Sequence, residues 1–122
     1  MSGENILFVD DEEQIRKLIT SYLQRQGYVV TVATDGYEGL KAIRAKMPDL
    51  VITDVNMPNM DGITLVRELR NRASYKFVPL LVLTTEATTE RKQQGKAAGA
   101  TGWLVKPFNP ERLLATVAKV LG

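Results

Sequence analysis

Short apolar runs alternate along the chain with longer stretches of helical period. ILFV at 6–9, VVTVA at 29–33, LVIT at 50–53, VPLLVLT at 78–84 and TGWLV at 101–105 have the length and β-branched content of strands. Between the first two, Ile15, Leu18, Ile19, Tyr22 and Leu23 recur with the spacing of one helical face, and Leu40, Ile43 and Met47 repeat that stripe more sparsely. Ile63, Val66 and Leu69 mark a third helix. Leu113, Leu114, Val117 and Leu121 mark a last one, opened by an Asn109 cap with Pro110 at its first position. The segment 87–98 offers only Ala87, Ala97 and Ala98 as apolar residues before Gly99 ends it. It is therefore expected to be the most weakly held helix and the readiest to move.

Strict alternation of strand and helix predicts an α/β fold, a five-stranded parallel sheet with helices on both faces. Continuous apolar runs in strands one, three and four predict burial on both sides, and the more polar second strand reads as an edge. The compact solution is strand order 2-1-3-4-5, joined by right-handed crossovers. Its ligand crevice lies outside the carboxyl ends of strands one and three, where the order reverses.

At 122 residues the chain is expected to be a single domain spanning 1–122, with no output domain. Area scaling gives a folded surface of roughly 6,600 Å² against roughly 20,000 Å² unfolded, enough burial for a core without metals or disulfides. The 16 Lys and Arg against 14 Asp and Glu give a net charge of +2, too small to signal nucleic-acid binding. The chain has no His and no Cys, which excludes His general bases, thiol nucleophiles, disulfides and Cys/His zinc sites. Oxygen ligands and carboxylate or hydroxyl nucleophiles remain. The longest apolar run, VPLLVL at 78–83, is far too short to span a bilayer, and no leader-like segment opens the chain. A cytoplasmic protein without a membrane partner is expected.

Strand one ends in Asp10 and Asp11 and strand three in Asp54, so the topology places three carboxylates at neighbouring strand tips about 4.8 Å apart. Singly, the first two also suit a helix start and the third a turn before NMPNMDG. Together they would repel unless a cation compensates, and a site this small suits Mg²⁺, which accepts one or two carboxylates and keeps several waters. Thr84 ends strand four and Lys106 ends strand five. Alone, each reads as a helix cap or a solvated lysine. Jointly they complete an oxyanion site, in which a phosphoryl group on the nucleophile Asp54 would face a metal, an ammonium and a hydroxyl.

FVDDEE, TDVNMPNMDG, LTTEA and GWLVKPF, in this order over essentially the whole chain, resemble the receiver domain of bacterial response regulators. AAGATGWLVKPFNPERLL further resembles stand-alone chemotaxis regulators of the CheY type. The resemblance implies that Asp54 accepts phosphate from a histidine kinase, CheA-like in the chemotaxis case. It also implies that Asp10, Asp11, Asp54 and the Asn56 carbonyl hold Mg²⁺, that Lys106 contacts the phosphate, and that Thr84 senses it. Trp103 stands at the aromatic switch position, where Tyr or Phe is commoner, and Thr85 replaces a frequent Ala. A cis peptide before Pro107 is implied as well. The expected function is a phosphorylation-switched module that catalyses only its own phosphorylation and dephosphorylation and is not otherwise an enzyme. It would act as a monomer that binds the flagellar motor switch through helix four, strand five and helix five.

Three other readings stay open: a phosphorelay intermediate passing phosphate to a histidine phosphotransfer protein, a Mg²⁺-dependent nuclease or primase-like domain, and a receiver that is never phosphorylated. Lys106-Pro107 and the lack of a basic groove argue against the nuclease. Arg67, Arg70, Arg72 and Lys76 read as a solvated helix end, and Met57 and Met60 as packing under the loop after strand three.

Overall fold

The computed structural model describes residues 3–122. Five strands, β1 (Asn5–Val9), β2 (Val29–Ala33), β3 (Leu50–Thr53), β4 (Leu80–Thr84) and β5 (Gly102–Val105), alternate with α1 (Glu13–Arg25), α2 (Gly36–Ala45), α3 (Gly62–Arg70), α4 (Thr89–Ala98) and α5 (Pro110–Leu121). The strands form one parallel sheet in the order β2-β1-β3-β4-β5, with β2 and β5 at its edges. The order and direction inferred from the apolar pattern are those observed.

Alternation along each strand divides the apolar residues between the two faces of the sheet. Ile6 and Phe8 of β1 join Leu50, Ile52, Leu81 and Leu83 in one cluster, closed by Ile19 and Leu23 of α1 and by Leu113 and Val117 of α5. Leu7 and Val9 join Val51, Leu80 and Val82 in the other, closed by Ile43 of α2 and by Ile63, Leu65, Val66 and Leu69 of α3. α4 contributes only Ala98 to that second cluster, as its sparse stripe predicts. The accessible surface, 6717 Å², is close to the value expected from chain length.

Local chemistry fixes the helix starts. Asp35, Asp61, Thr88 and Asn109 each accept a side-chain hydrogen bond from the amide three residues on, capping α2 to α5. Gly99 closes α4 at φ 110, a left-handed conformation that costs glycine least.

Several boundaries differ from the sequence reading. Met47 lies beyond α2, which ends at Ala45, and is 45% exposed. Pro48 disfavours helical geometry at Met47, and Lys46 is already extended at φ -158, ψ 123. Leu18 occupies the margin of the α1 stripe and is 44% exposed. Ala87 precedes α4 and Thr101 precedes β5. β4 starts at Leu80 because Pro79 has no amide to donate, although its carbonyl accepts from Val51.

Arg70 requires the largest correction, since it is no solvated helix end. Its guanidinium is folded inward and donates to the carbonyls of Gly99, Tyr75 and Val78 and to the Thr101 hydroxyl. One side chain thereby ties the end of α3, the 3-10 turn Ala73–Tyr75, the entry to β4 and the end of α4.

Candidate functional site

The main-chain ladder runs one residue past the strands at their carboxyl ends. The Asp10 amide donates to Ala33 O at 3.0 Å, the Asp54 amide to Val9 O at 2.9 Å, and the Lys106 amide to Thr84 O at 2.8 Å. Three of the residues expected to carry chemistry are thus fixed by backbone bonds at the carboxyl end of the sheet.

Their side chains meet. Lys106 Nζ lies 2.7 Å from Asp10 Oδ2, 3.1 Å from Asp54 Oδ2 and 3.2 Å from Glu12 Oε1. Asp10, Asp54 and Lys106 are buried, with residual exposures of 0%, 6% and 8%. Asp54 Oδ1 accepts from the Val55 amide at 2.6 Å, and Asp10 Oδ1 accepts from the Glu12 amide at 2.9 Å. The Thr53 hydroxyl donates to the Asp54 carbonyl at 2.9 Å. Gly62 is packed so tightly beneath this turn that a Cβ there would fall 1.8 Å from the Asp54 carbonyl oxygen. The Asp54 backbone is therefore held from below as well as along the ladder.

Burial disfavours the Asp10 carboxylate and raises its pKa; the ammonium of Lys106 and the Glu12 amide offset this only in part, and Asp54 adds to it. Burial also works against the Lys106 ammonium, but Asp10 and Asp54 outweigh it, so its pKa is held above the usual range. The two shifts differ in origin because the lysine sums the attraction of several carboxylates, whereas Asp10 has a single cation and a like-charged neighbour.

The carboxylates of Asp10, Glu12 and Asp54 each offer an oxygen within 4.8 Å of the others. Three carboxylates against one ammonium leave two negative charges, which a divalent cation would balance. The donors are all hard oxygens, as Mg²⁺ requires, so the residues present fit that ion. Asp11 is exposed and lies outside this group. Glu12, which the sequence reading passed over, lies within it. The signal for it was positional: α1 starts only at Glu13, so Glu12 sits in the turn over the sheet end with a side chain long enough to reach Lys106.

Thr84 is fully buried at the tip of β4, and its Oγ1 accepts from the Glu86 amide at 3.2 Å. Its hydroxyl proton is left free to donate. Asn56 is exposed, and its side-chain amide donates to Glu86 Oε2 at 3.0 Å, joining the loops after β3 and β4. Trp103 is half-buried; its indole N–H donates to Glu86 O at 2.9 Å and its ring lies against Gly95 of α4. The Lys106-Pro107 peptide is cis, as the resemblance implied.

A parallel sheet in this order, with an acid cluster and a lysine at its carboxyl end, defines an α/β domain of the flavodoxin-like kind. Residues 6–118 match the family model described as response regulator receiver domain, and the chain belongs to that family. It is similar to the chemotaxis response regulator CheY4 of Vibrio cholerae, with 50% identity, a TM-score of 0.91, and coverage of 98% of this chain and 99% of that one. It is 39% identical to the alkaline phosphatase synthesis transcriptional regulatory protein PhoP of Bacillus subtilis over 98% of this chain and 49% of that protein. The receiver domain of the sensor histidine kinase PA1611 of Pseudomonas aeruginosa superposes with a TM-score of 0.90 at 28% identity, covering 99% of each chain. In that structure a magnesium ion is coordinated in the active-site cleft. The chain spans about half the length of the curated relatives it matches, 45% to 49%. Among the described residues no helix is long and apolar enough to cross a membrane.

Proposed function

We propose that the protein is a cytoplasmic phosphorylation switch that takes a phosphoryl group from a histidine kinase onto Asp54 and then binds a target protein. The observation that carries this reading is the convergence of Asp54 with Asp10 and Lys106 in a buried, ladder-fixed cluster. An Asp54 carboxylate oxygen attacks phosphorus, the P–N bond of the donor phosphohistidine breaks, and its electron pair leaves with the imidazole. Asp10, Asp11, Asp54 and the Asn56 carbonyl would hold Mg²⁺, which would supply charge neutralisation. Lys106 shifts its ammonium from the carboxylates to a phosphoryl oxygen, and the free proton of Thr84 donates to another. Apart from its own phosphorylation and dephosphorylation the protein catalyses nothing.

The target we favour is the flagellar motor switch, with a CheA-like kinase as donor, on the strength of near full-length similarity to a chemotaxis regulator. Docking would use α4, β5 and α5, because α4 is loosely anchored and Trp103 links it to the loop that follows Thr84. A second reading, control of a transcriptional output, is favoured by the curated relatives that are transcriptional regulators.

Incubation with acetyl phosphate and Mg²⁺ should add the mass of one phosphoryl group to the wild type and none to Asp54→Asn. Equal labelling of the two would refute the assignment. Pull-down with and without beryllofluoride then separates motor switch protein from a histidine phosphotransfer protein or a transcriptional partner.

A further inference from the structure

The end of the sheet opposite Asp54 carries an apolar surface that the phosphorylation site does not use. β3 and β4 are parallel neighbours, so the segments entering them, Met47–Asp49 and Phe77–Pro79, lie side by side. With Ala73 and Ser74 they line a groove of about 370 Å³. Pro48 connects it to a smaller hollow of about 160 Å³ bordered by Ile6, Ile43 and Lys46. Phe77 is 88% exposed and Met47 45%, two large apolar side chains facing solvent in one hollow rather than scattered singly.

The charges flanking this hollow are mostly positive. Segments 41–48 and 69–79 hold Lys41, Arg44, Lys46, Arg70, Arg72 and Lys76 and no acid. Arg70 is turned inward, and the other five are exposed. Lys46 borders the smaller hollow, and Lys76 Nζ stands 5.5 Å from the centre of the Phe77 ring. One acid, Asp49, lines the groove; it accepts from the Asn5 amide at 2.8 Å and is outnumbered by the exposed cations Lys46 and Lys76.

We infer that this end of the domain docks an acidic peptide segment carrying an apolar side chain, whatever the phosphorylation state of Asp54. The apolar residue would lie between Phe77 and Met47 while carboxylates pair with Lys46 and Lys76, an apolar anchor with a charged rim. The surface lies at the amino ends of the strands and the acid cluster at their carboxyl ends, so both can be occupied at once.

The test is NMR titration of the ¹⁵N-labelled full chain with a short synthetic peptide of glutamates bearing two leucines one helical turn apart. Amide shifts should concentrate at Met47–Asp49 and Ala73–Val78, weaken with added salt, and be the same with Asp54 carrying beryllofluoride. Phe77→Ser, and separately the charge reversal Lys46→Glu with Lys76→Glu, should each weaken binding about tenfold or more. Both change exposed residues, and an otherwise unchanged amide spectrum checks their fold. Absent shifts, shifts centred on α4 and β5, equal binding of a glycine-leucine peptide, or stronger perturbation of the same residues by a single-stranded oligonucleotide would each overturn the inference. So would sedimentation showing a wild-type dimer that Phe77→Ser abolishes, since a second copy would then cover the face.

Discussion

Replacing Arg70 by alanine removes four hydrogen bonds at once, to Gly99 O, Tyr75 O, Val78 O and Thr101 Oγ1. Bonds from a charged donor contribute roughly 1.5 to 3 kcal/mol each, and acceptors left buried cost about as much again. The bond to Thr101 is exposed and is discounted. Three part-buried carbonyls at the low end of the range come to about 4.5 kcal/mol, and partial rehydration lowers the expected loss to about 3 kcal/mol. At this chain length that lowers the melting temperature by roughly 12 °C. Urea unfolding with a constant m-value measures it. Arg70→Lys should recover less than half, because one ammonium cannot span carbonyls contributed by three separate elements. Gly99→Ala should behave similarly, since its Cβ would meet Arg70 Cγ at 2.6 Å in addition to the cost at φ +110. A loss below about 1 kcal/mol in Arg70→Ala, or full rescue by lysine, would show that Arg70 is not the clasp its bonds suggest.

Asp10→Asn should stabilise the metal-free protein at neutral pH, because burial raises the Asp10 pKa in the fold. A raised acid contributes stability that is present below its unfolded value of about 3.9 and is lost as pH rises through the folded one, so the gain over wild type should vanish near pH 3; a gain independent of pH would contradict this. Mg²⁺ should raise the melting temperature of the wild type by mass action, and comparing Asp11→Ala with Glu12→Gln identifies which acid beside Asp10 serves the ion. We expect Asp11→Ala to lose most of the gain, and an undiminished response would exclude Asp11 as a main ligand. Gly95→Ala places a Cβ 2.5 Å from Trp103 Cζ3, so the indole should be displaced and its emission shift to longer wavelength; an unshifted spectrum with higher stability would mean that helix propensity outweighs the clash.

The alternation of apolar and polar residues carried most of the fold. Ile6 to Val9 and Leu80 to Leu83 are apolar at every position, which only a strand buried on both faces demands, and their carboxyl-terminal neighbours Asp10 and Thr84 then fall at the carboxyl end of the sheet, Asp10 at the switch point and Thr84 one strand beyond it. Glu12 and Arg70 were not legible in the same way. Their partners lie 94 residues away for Glu12 and 29 and 31 for two of Arg70's bonds, and the destination of a long flexible side chain depends on loops whose path no local period encodes. The same holds for Met47, whose spacing from Ile43 fits a helix that Pro48 cuts short.

The ladder that continues past the strand ends has a consequence for how such a domain can diversify. Asp10, Asp54 and Lys106 hang from amide bonds to Ala33, Val9 and Thr84, so their positions are inherited from sheet register and owe little to the loops around them. Apart from Asn56, Glu86 and Thr88, whose contacts serve the site and the start of α4, the stretches just beyond β3 and β4 can therefore change in composition while the charged atoms stay where they are. Recognition can drift on the perimeter at a pace the centre does not share.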